Sequence, residues 1–148
     1  MMEANAGENS GEDTMSGRED MERTLRDAYA ARQRGDLDAL GRLFAPHARF
    51  QMAGSSASPI ATLVEGAEQY RPLLAGMIKT FEVLDHKIVS MLIDGSKAAV
   101  QWRAKMRSSV TGETVDTDLF DLIEMEGGRI TSFLEFCDTA LAARMMKH

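Results

Sequence analysis

The spacing of apolar residues changes from a helical to a strand period near residue 80, and this change is the strongest constraint on the fold. Apart from a short alternating stretch at residues 48–52, apolar residues before Phe81 recur about every 3.6 positions, whereas from Phe81 onward they alternate with polar residues as in strands. Turn signals at Asp94-Gly95 and Gly127-Gly128 separate the alternating segments. Because helices precede a run of strands, the sequence predicts an α+β protein rather than repeated βαβ units.

Three helices are predicted in the N-terminal half. The first carries Met21, Leu25 and Tyr29 on one face and ends at Gly35. Asp36 can cap a short second helix that includes Phe44 and stops at Pro46. A third helix is predicted between residues 66 and 80, where Pro72 should kink it or start its regular part because proline lacks an N–H.

The strands begin between the second and third helices. Ala48, Phe50 and Met52 alternate with polar residues, and the following segment 54–62 has the composition of a loop. Four longer strands and a closing helix capped by Asp138 complete the prediction, the strands covering 81–93, 97–107, 114–126 and 129–137. Such a sheet, mostly antiparallel and curved over the three N-terminal helices, would form a cone-shaped α+β barrel.

The net charge of −6 is confined to one end of the chain. Residues 1–22 hold seven acidic residues and one basic residue, whereas the remaining 16 acidic and 16 basic residues cancel. The first 17 residues are also rich in Gly, Ser, Asn and Glu, a composition typical of solvated tails. We therefore expect a disordered acidic leader over residues 1–17 and a single domain over residues 18–148.

Several classes of protein are disfavoured by composition. No run of about 18 apolar residues is present to span a membrane, and the first residues lack the features of a secretory signal, so we expect a cytoplasmic protein. One cysteine and three separated histidines offer no metal-ligand spacing, and we expect no metal and no cofactor. The acidic balance and low aromatic content argue against nucleic-acid binding.

Three segments resemble a known family. They are residues 35–45 (GDLDALGRLFA), residues 48–52 (ARFQM) and residues 120–138 (FDLIEMEGGRITSFLEFCD). Together they resemble the nuclear transport factor 2-like superfamily, in particular its polyketide-cyclase-like (SnoaL-like) branch, near ketosteroid isomerase and limonene epoxide hydrolase. The resemblance covers about residues 21–145 and implies a cystatin-like or ketosteroid isomerase-like cone with one pocket, often dimeric through the sheet.

The catalytic residues of ketosteroid isomerases are only partly retained. By resemblance, the general base would fall on Met52, whose thioether cannot accept the proton. The oxyanion-binding tyrosine would fall on Ala28, one residue from Tyr29, and the aspartic acid that donates the second oxyanion hydrogen bond would fall on Asp121.

The limonene epoxide hydrolase set is also largely replaced. By resemblance, its water-positioning tyrosine and asparagine fall on Phe50 and Met52, its arginine on Trp102 and its central aspartate on Ala104. Only its remaining aspartate falls on a residue with a carboxylate, which is Glu135. Neither reaction can be transferred, and the resemblance implies a pocket lined by apolar side chains that retains two acids.

Asp121 and Glu135 are the candidate catalytic residues. Each lies on a strand face that is otherwise mostly apolar, and loss of solvation there raises the pKa of a carboxyl toward neutral pH. A two-residue turn at Gly127-Gly128 would place the two acids on opposite faces of the sheet, whereas a three-residue turn starting at Glu126 would place them on one face. The resemblance favours one shared face.

Each candidate also has a purely structural interpretation. Asp121 could be a buried acid hydrogen-bonded to a hydroxyl or an N–H, and Trp102 and Tyr29 could belong to the core. Cys137 has apolar neighbours and is expected to be an inert buried thiol. The candidate ligand-binding residues are Tyr29, Phe50, Met52, Trp102, Ala104, Met106, Thr117, Leu119, Phe133 and Cys137.

Two functions of different classes follow. The first is a cofactor-free isomerase, cyclase or hydrolase that acts on a small apolar molecule, such as a polyketide, terpenoid or steroid-like compound. In this hypothesis Glu135 is the general base and Asp121 the general acid or oxyanion partner. The second is a non-catalytic ligand-binding or dimerisation module of the same fold, which the replaced catalytic groups favour. In either case we expect a homodimer that binds neither nucleic acid nor membrane.

Overall fold

The computed structural model describes the backbone of residues 2–147 and the side chains of residues 17–147. It contains four helices, which are α1 (Met2–Arg34), α2 (Leu37–Arg42), α3 (Ala67–Thr80) and α4 (Thr139–Met145). Its six strands are β1 (Phe44–Met52), β2 (Thr62–Glu65), β3 (Phe81–Asp94), β4 (Lys97–Ser108), β5 (Thr114–Glu126) and β6 (Arg129–Phe136). The predicted leader falls on residues whose side chains lie outside this description, so the division at residue 17 stays a prediction.

The strands form one curved sheet with the order β2-β1-β6-β5-β4-β3. Strands β1 and β6 pair in parallel, and every other neighbouring pair is antiparallel. The α+β class and the mostly antiparallel sheet are therefore confirmed. No helix within the described residues has both the length and the apolar character needed to cross a membrane.

The inner face of the sheet holds the core, and strand β4 shows this most regularly. In β4 Ala98, Val100, Trp102, Ala104 and Met106 are all buried, and the residues between them point outward. Apolar residues of α1 and α3 cover this inner face. The two-residue period that predicted the strand thus also predicts which side of it is covered.

Two boundaries near β1 differ from prediction. Helix α2 is capped as expected, because the Asp36 side chain accepts from the Ala39 N–H at 3.0 Å, but it ends at Arg42. Phe44 and Pro46 belong to β1 instead. The pairing of β1 with β6 is irregular between Phe44 and Arg49, and an irregular stretch accommodates a residue such as Pro46 that cannot donate a ladder hydrogen bond.

The short strand β2 was not predicted from the sequence. It has four residues, and only alternate ones are partly buried, so its apolar pattern is too brief to stand out from the adjacent loop. It pairs with β1 from Arg49 to Met52 and forms one edge of the sheet.

A bulge in β6 decides which way Glu135 points. The turn has two residues, since Glu126 pairs with Arg129, and Gly127 and Gly128 both have positive φ values, 58° and 79°. Met125 pairs with Ile130, but Glu124 pairs with Ser132, so Thr131 has no partner on β5. This extra residue shifts the register by one and moves the rest of β6 to the opposite face.

Candidate functional site

A cavity of about 320 Å³ lies between the inner face of the sheet and the helices α3 and α4. Its wall is mainly apolar and includes Leu73 and Met77 of α3, Leu141 and Met145 of α4 and Ile60 of the loop before β2. The sheet contributes a second set of residues, namely Met52, Phe81, Met106, Thr117, Leu119 and Glu135, followed by Cys137 and Asp138. A mostly apolar wall with a few charged side chains, here Arg32, Glu135 and Asp138, is typical of a site for a small apolar molecule.

Asp121 and Glu135 form a buried acid pair. They are direct cross-strand partners on β5 and β6, and they are only 0% and 6% exposed. Because directly paired residues on neighbouring strands project from the same face of a sheet, the two carboxyl groups are neighbours. The prediction of one shared face holds although the turn has two residues, because the bulge at Thr131 supplies the missing shift of register.

Two aromatic side chains hold Asp121 in place. The Tyr29 hydroxyl donates to Oδ2 of Asp121 at 2.6 Å, and Nε1–H of Trp102 donates to the same oxygen at 2.8 Å. The two rings lie 5.0 Å apart, so α1 and β4 meet at this carboxyl. Oδ1 of Asp121 is buried and has no hydrogen-bond donor among the described residues, which leaves it for the Glu135 carboxyl.

The surroundings favour a protonated Asp121. Burial raises its pKa well above the ordinary value of 3.8, the negative charge of Glu135 raises it further, and the Tyr29 and Trp102 hydrogen bonds only partly oppose this. Burial also raises the pKa of Glu135, but the hydrogen bond with Asp121 and the positive charge of Arg32 oppose that shift. The two buried carboxyls therefore favour one shared proton over two negative charges, and the positive charge of Arg32 favours ionisation of Glu135.

Arg32 is a functional candidate that the sequence analysis did not identify. Its Nη2 group donates to the backbone carbonyls of Met77 at 3.2 Å and Phe81 at 2.6 Å, where α3 meets β3. The side chain lines the main cavity, close enough to Glu135 for their charges to interact. A signal was present in the sequence, since Arg32 lies four residues after Ala28 on the otherwise apolar face of α1.

A second, smaller void of about 40 Å³ lies deeper in the core. Tyr29, Phe50, Trp102 and Phe133 line it, and the Phe50 and Phe133 rings stack at 5.4 Å. Glu135 and Arg32 line both this void and the main cavity. These two charged side chains therefore stand at the boundary between the open cavity and the closed core.

The predicted ligand-binding residues divide into three groups. Met52, Met106, Thr117, Leu119 and Cys137 line the main cavity. Tyr29, Phe50, Trp102 and Phe133 line only the deeper void. Ala104 is 1% exposed and lines neither space, because it faces the packed part of the core.

Two candidate residues occupy positions that bear on their predicted roles. Asp121 is fully buried and lines neither space, and its role as general acid or oxyanion partner stays a prediction. Cys137 is half-buried at the cavity wall rather than fully buried. Partial burial and nearby carboxylates raise the pKa of its thiol to about 11, which keeps it protonated and unreactive at neutral pH.

The described side chains include no group of three or more His, Cys, Asp or Glu residues that could hold a metal ion. Thr62 and Thr117 are the hydroxyl-bearing residues of the cavity wall. The titratable side chains of the wall are Arg32, Glu135, Cys137 and Asp138, and the carboxyl of Asp138 accepts from the Leu141 N–H at 3.0 Å at the start of α4.

Comparison with known proteins identifies the family. The family model for the SnoaL-like domain matches residues 25–133, and the chain belongs to this family. None of the curated proteins matches the sequence. The resemblance read from the three sequence segments is confirmed.

Solved structures show the same fold at low sequence identity. A proposed isomerase from Bacillus subtilis is 16% identical with a TM-score of 0.77, and the match covers 86% of this chain and 93% of that one. An LEH-like epoxide hydrolase from M. tuberculosis is 17% identical with a TM-score of 0.68, covering 85% and 88%. A hypothetical protein with a ketosteroid isomerase-like fold from Catenulispora acidiphila, in complex with trimethylamine, is 18% identical with a TM-score of 0.65, covering 76% and 82%.

Proposed function

We propose that the protein is a cofactor-free enzyme that transfers a proton on a small apolar molecule, with Glu135 as the general base. The substrate would be a polyketide, terpenoid or steroid-like compound, and the reaction an isomerisation, a cyclisation or the addition of water. The supporting observation is the position of Glu135, which is the one carboxyl of the buried pair that reaches the cavity.

The environment of Glu135 suits a base that works near neutral pH. Burial raises its pKa, so the carboxylate binds a proton more readily than an exposed glutamate does. The apolar wall excludes water that would otherwise compete for the same proton. A base of this kind can remove a proton from carbon or activate one water molecule toward an electrophilic carbon.

Asp121 acts in this proposal as a positioning residue. Its proton forms the hydrogen bond to Glu135, and its other oxygen is held by Tyr29 and Trp102. This arrangement fixes the Glu135 carboxylate toward the cavity and stabilises its ionised form. In this arrangement Tyr29 and Trp102 in the core contact Asp121, and Asp121 contacts Glu135 at the cavity wall.

The test compares Glu135→Gln with a matched control, Glu126→Gln, at the exposed last residue of β5. Two probe reactions are followed, deuterium exchange at the α-carbons of 2-tetralone and hydrolysis of styrene oxide. We expect the wild type and the control to accelerate at least one reaction, and Glu135→Gln to lose about 100-fold or more of that acceleration. Equal rates for Glu135→Gln and wild type would overturn the proposal.

A non-catalytic binding module remains the second candidate. One observation favours it. Phe50 and Trp102 line the deeper void, and by resemblance they replace polar catalytic residues of limonene epoxide hydrolase. Carbon-detected NMR titration separates the two functions. A pKa of the cavity-facing Glu135 that is about two or more above its ordinary value favours catalysis, whereas a Glu135 that titrates near the ordinary value of about 4 favours the binding module.

We also propose that the protein forms a cytoplasmic homodimer through the outer face of its sheet. An outer apolar patch, defined here as Leu92, Phe120, Leu122, Leu134 and Phe136, crosses the sheet from β3 to β6. Four of its members are between 42% and 69% exposed. Exposed apolar area of this kind on one face is typical of a protein interface.

A further inference from the structure

The main cavity opens to solvent between two segments of the chain. Three of the described residues line the cavity and are also exposed, which places them where the cavity meets solvent. Pro59 belongs to the β1–β2 loop, defined here as residues 53–61, whereas Asp138 and Met146 flank α4. The opening is therefore bordered by this loop and by the two ends of α4.

The α4 border is fixed to the sheet by directional contacts. The buried Ser108 hydroxyl donates to the carbonyl of Met145, and Arg144 pairs with Glu113 at 2.6 Å. Displacement of α4 would leave the buried Ser108 hydroxyl without this partner, which is costly. We therefore expect α4 to keep its place when a molecule enters.

The β1–β2 loop is attached in a different way. The Ala53 N–H donates to the carbonyl of Glu135 at 2.8 Å, which ties the start of the loop to β6. Beyond Ala53, the hydrogen bonds of the loop within the described part of the chain are all internal. The Ser58 N–H donates to the Ser55 carbonyl at 2.8 Å, the Ile60 N–H donates to the Ser58 hydroxyl at 3.2 Å, and a third bond also joins two loop residues. The loop can therefore change its position without losing any of these bonds.

The two ends of the loop lie close together. Met52 pairs with Thr62, and a Cβ atom added at Gly54 would lie only 3.3 Å from that of Ala61. Gly54 has a φ of 153°, in the region that favours glycine, and it is the first residue after the tie to β6. A loop with a narrow base, internal hydrogen bonds and a glycine at its start can turn as one unit.

Apolar contact holds the loop to the rest of the molecule. Ile60 is partly buried against the core, and Pro59, Ile60 and Ala61 line the cavity. Such contacts are not directional, so they can be exchanged for contacts with a bound apolar molecule. At the opening, Pro59 is exposed and Met146 is 43% exposed, and covering their apolar surface is favourable.

We propose that the β1–β2 loop is a lid, which turns as a unit at Gly54 and closes toward Met146 over a bound apolar molecule. Closure brings Pro59 against Met146, covers the opening and slows the escape of the ligand. This inference rests on the apolar ligand of the proposed function but not on its reaction.

The test measures how fast naphthalene enters and leaves the cavity, by NMR line-shape analysis of titrations. Pro59→Ser and Met146→Ser each remove one apolar side of the contact that closure makes. We expect each variant to raise the dissociation rate constant about threefold or more, because closure then buries less apolar surface. The association rate constant should stay within about twofold of the wild type, since naphthalene enters before the lid closes.

The double variant separates a lid from two independent ligand contacts. If Pro59 and Met146 contact each other in the closed state, the second substitution raises the dissociation rate constant by less than about 1.5-fold over the first. If each residue only contacts naphthalene, the two effects multiply to about ninefold, and the lid is overturned. Leu63→Ser, at a 46% exposed position of β2 that does not line the cavity, should leave both rate constants unchanged.

The remaining outcomes distinguish the lid from the proposed function. Dissociation rate constants that both single variants leave unchanged would overturn the lid and leave Glu135 as the proposed base. Failure of naphthalene to bind the wild type would overturn the proposed apolar ligand and the lid with it. Non-additive dissociation rates together with unaccelerated probe reactions would support the lid and overturn the proposed reaction alone.

Discussion

At the scale of single residues, the carboxyl of Asp121 is fully buried and is bonded differently at its two oxygens. Oδ2 accepts from Tyr29 and Trp102, while Oδ1 has no hydrogen-bond donor among the described residues. Two buried carboxyls that are direct cross-strand partners cannot both be ionised without a large repulsion. Burial and the negative charge of Glu135 raise the pKa of Asp121 and so favour its protonated form.

This arrangement makes stability depend on pH in a definite direction. The raised pKa of Asp121 means that the folded state keeps a proton that the unfolded state loses above about pH 3.8. Its contribution to the free energy of unfolding therefore falls as pH rises from that value toward the raised pKa. The substitution Asp121→Asn removes this dependence, because its amide oxygen can accept from Tyr29 and Trp102 and its amide nitrogen can donate to Glu135.

We expect the stability of Asp121→Asn relative to wild type to increase with pH above about 4, by up to about 1.4 kcal/mol per pH unit. Urea unfolding of both proteins between pH 4 and 8 measures this difference in the free energy of unfolding. Asp118→Asn, at an exposed position of the same strand, controls for the loss of one carboxyl. A difference that is constant over the whole range would show that Asp121 is ionised in the folded protein.

The two acids could be found from the sequence because each interrupts an apolar strand face. Their partners could not, since Tyr29 and Asp121 lie 92 positions apart and meet only when α1 packs on the sheet. Arg32 was missed for a different reason. A long cationic side chain on a helix is normally solvated, and only its carbonyl partners near residue 80 show that it points inward.

At the scale of elements, the bulge at Thr131 explains why the length of the turn does not determine the face on which Glu135 lies. The sequence left two possibilities, in which a two-residue turn separated the acids and a three-residue turn united them. The structure combines the two-residue turn with the united acids. A bulge inserts one residue without any turn signal, so neither glycine spacing nor strand alternation could locate it.

Helix α4, which forms one side of the cavity, is attached to the sheet through Ser108. This hydroxyl is 1% exposed, donates to the carbonyl of Met145 and accepts from the N–H groups of Val110 and Thr111 at 3.1 and 3.0 Å. An exposed pair between Arg144 and Glu113, at 2.6 Å, adds a second attachment.

We expect Ser108→Ala to lower the free energy of unfolding by about 1–3 kcal/mol, because it leaves several buried polar groups without their partner. Amide hydrogen exchange in α4 should become faster than in the wild type. Ser109→Ala, at the adjacent exposed position, should change stability by less than about 0.5 kcal/mol. Unchanged exchange in α4 would show that the hydroxyl does not anchor the helix.

At the scale of the whole molecule, the outer face of the sheet has two parts. Cross-strand ion pairs, such as Arg103–Asp118 at 3.1 Å and Arg107–Glu82 at 2.7 Å, cover one part, and the outer apolar patch covers the other. The alternation of β4 predicted that its charged residues face outward. The alternation of β4 could not reveal the outer apolar patch, because the residues of that patch come from β3, β5 and β6.

The proposed dimer predicts that Leu122→Lys, near the centre of the outer apolar patch, gives a monomer. A buried lysine at the interface would face its own copy across the two-fold axis, which is unfavourable. Sedimentation velocity at micromolar concentration measures the change. Leu63→Lys, on the distant edge strand β2 at 46% exposure, should remain dimeric like the wild type. A monomeric wild type would contradict the dimer.

Different parts of the chain supply the acid pair and the apolar wall of the cavity. The acid pair is built into neighbouring strands of the sheet, whereas much of the apolar wall comes from α3, α4 and the loop before β2. Residues on those outer elements can therefore change in size or shape while the acid pair stays fixed. If the protein has the proposed function, substitutions at these positions would change which molecule fits the cavity and leave the proposed base in place.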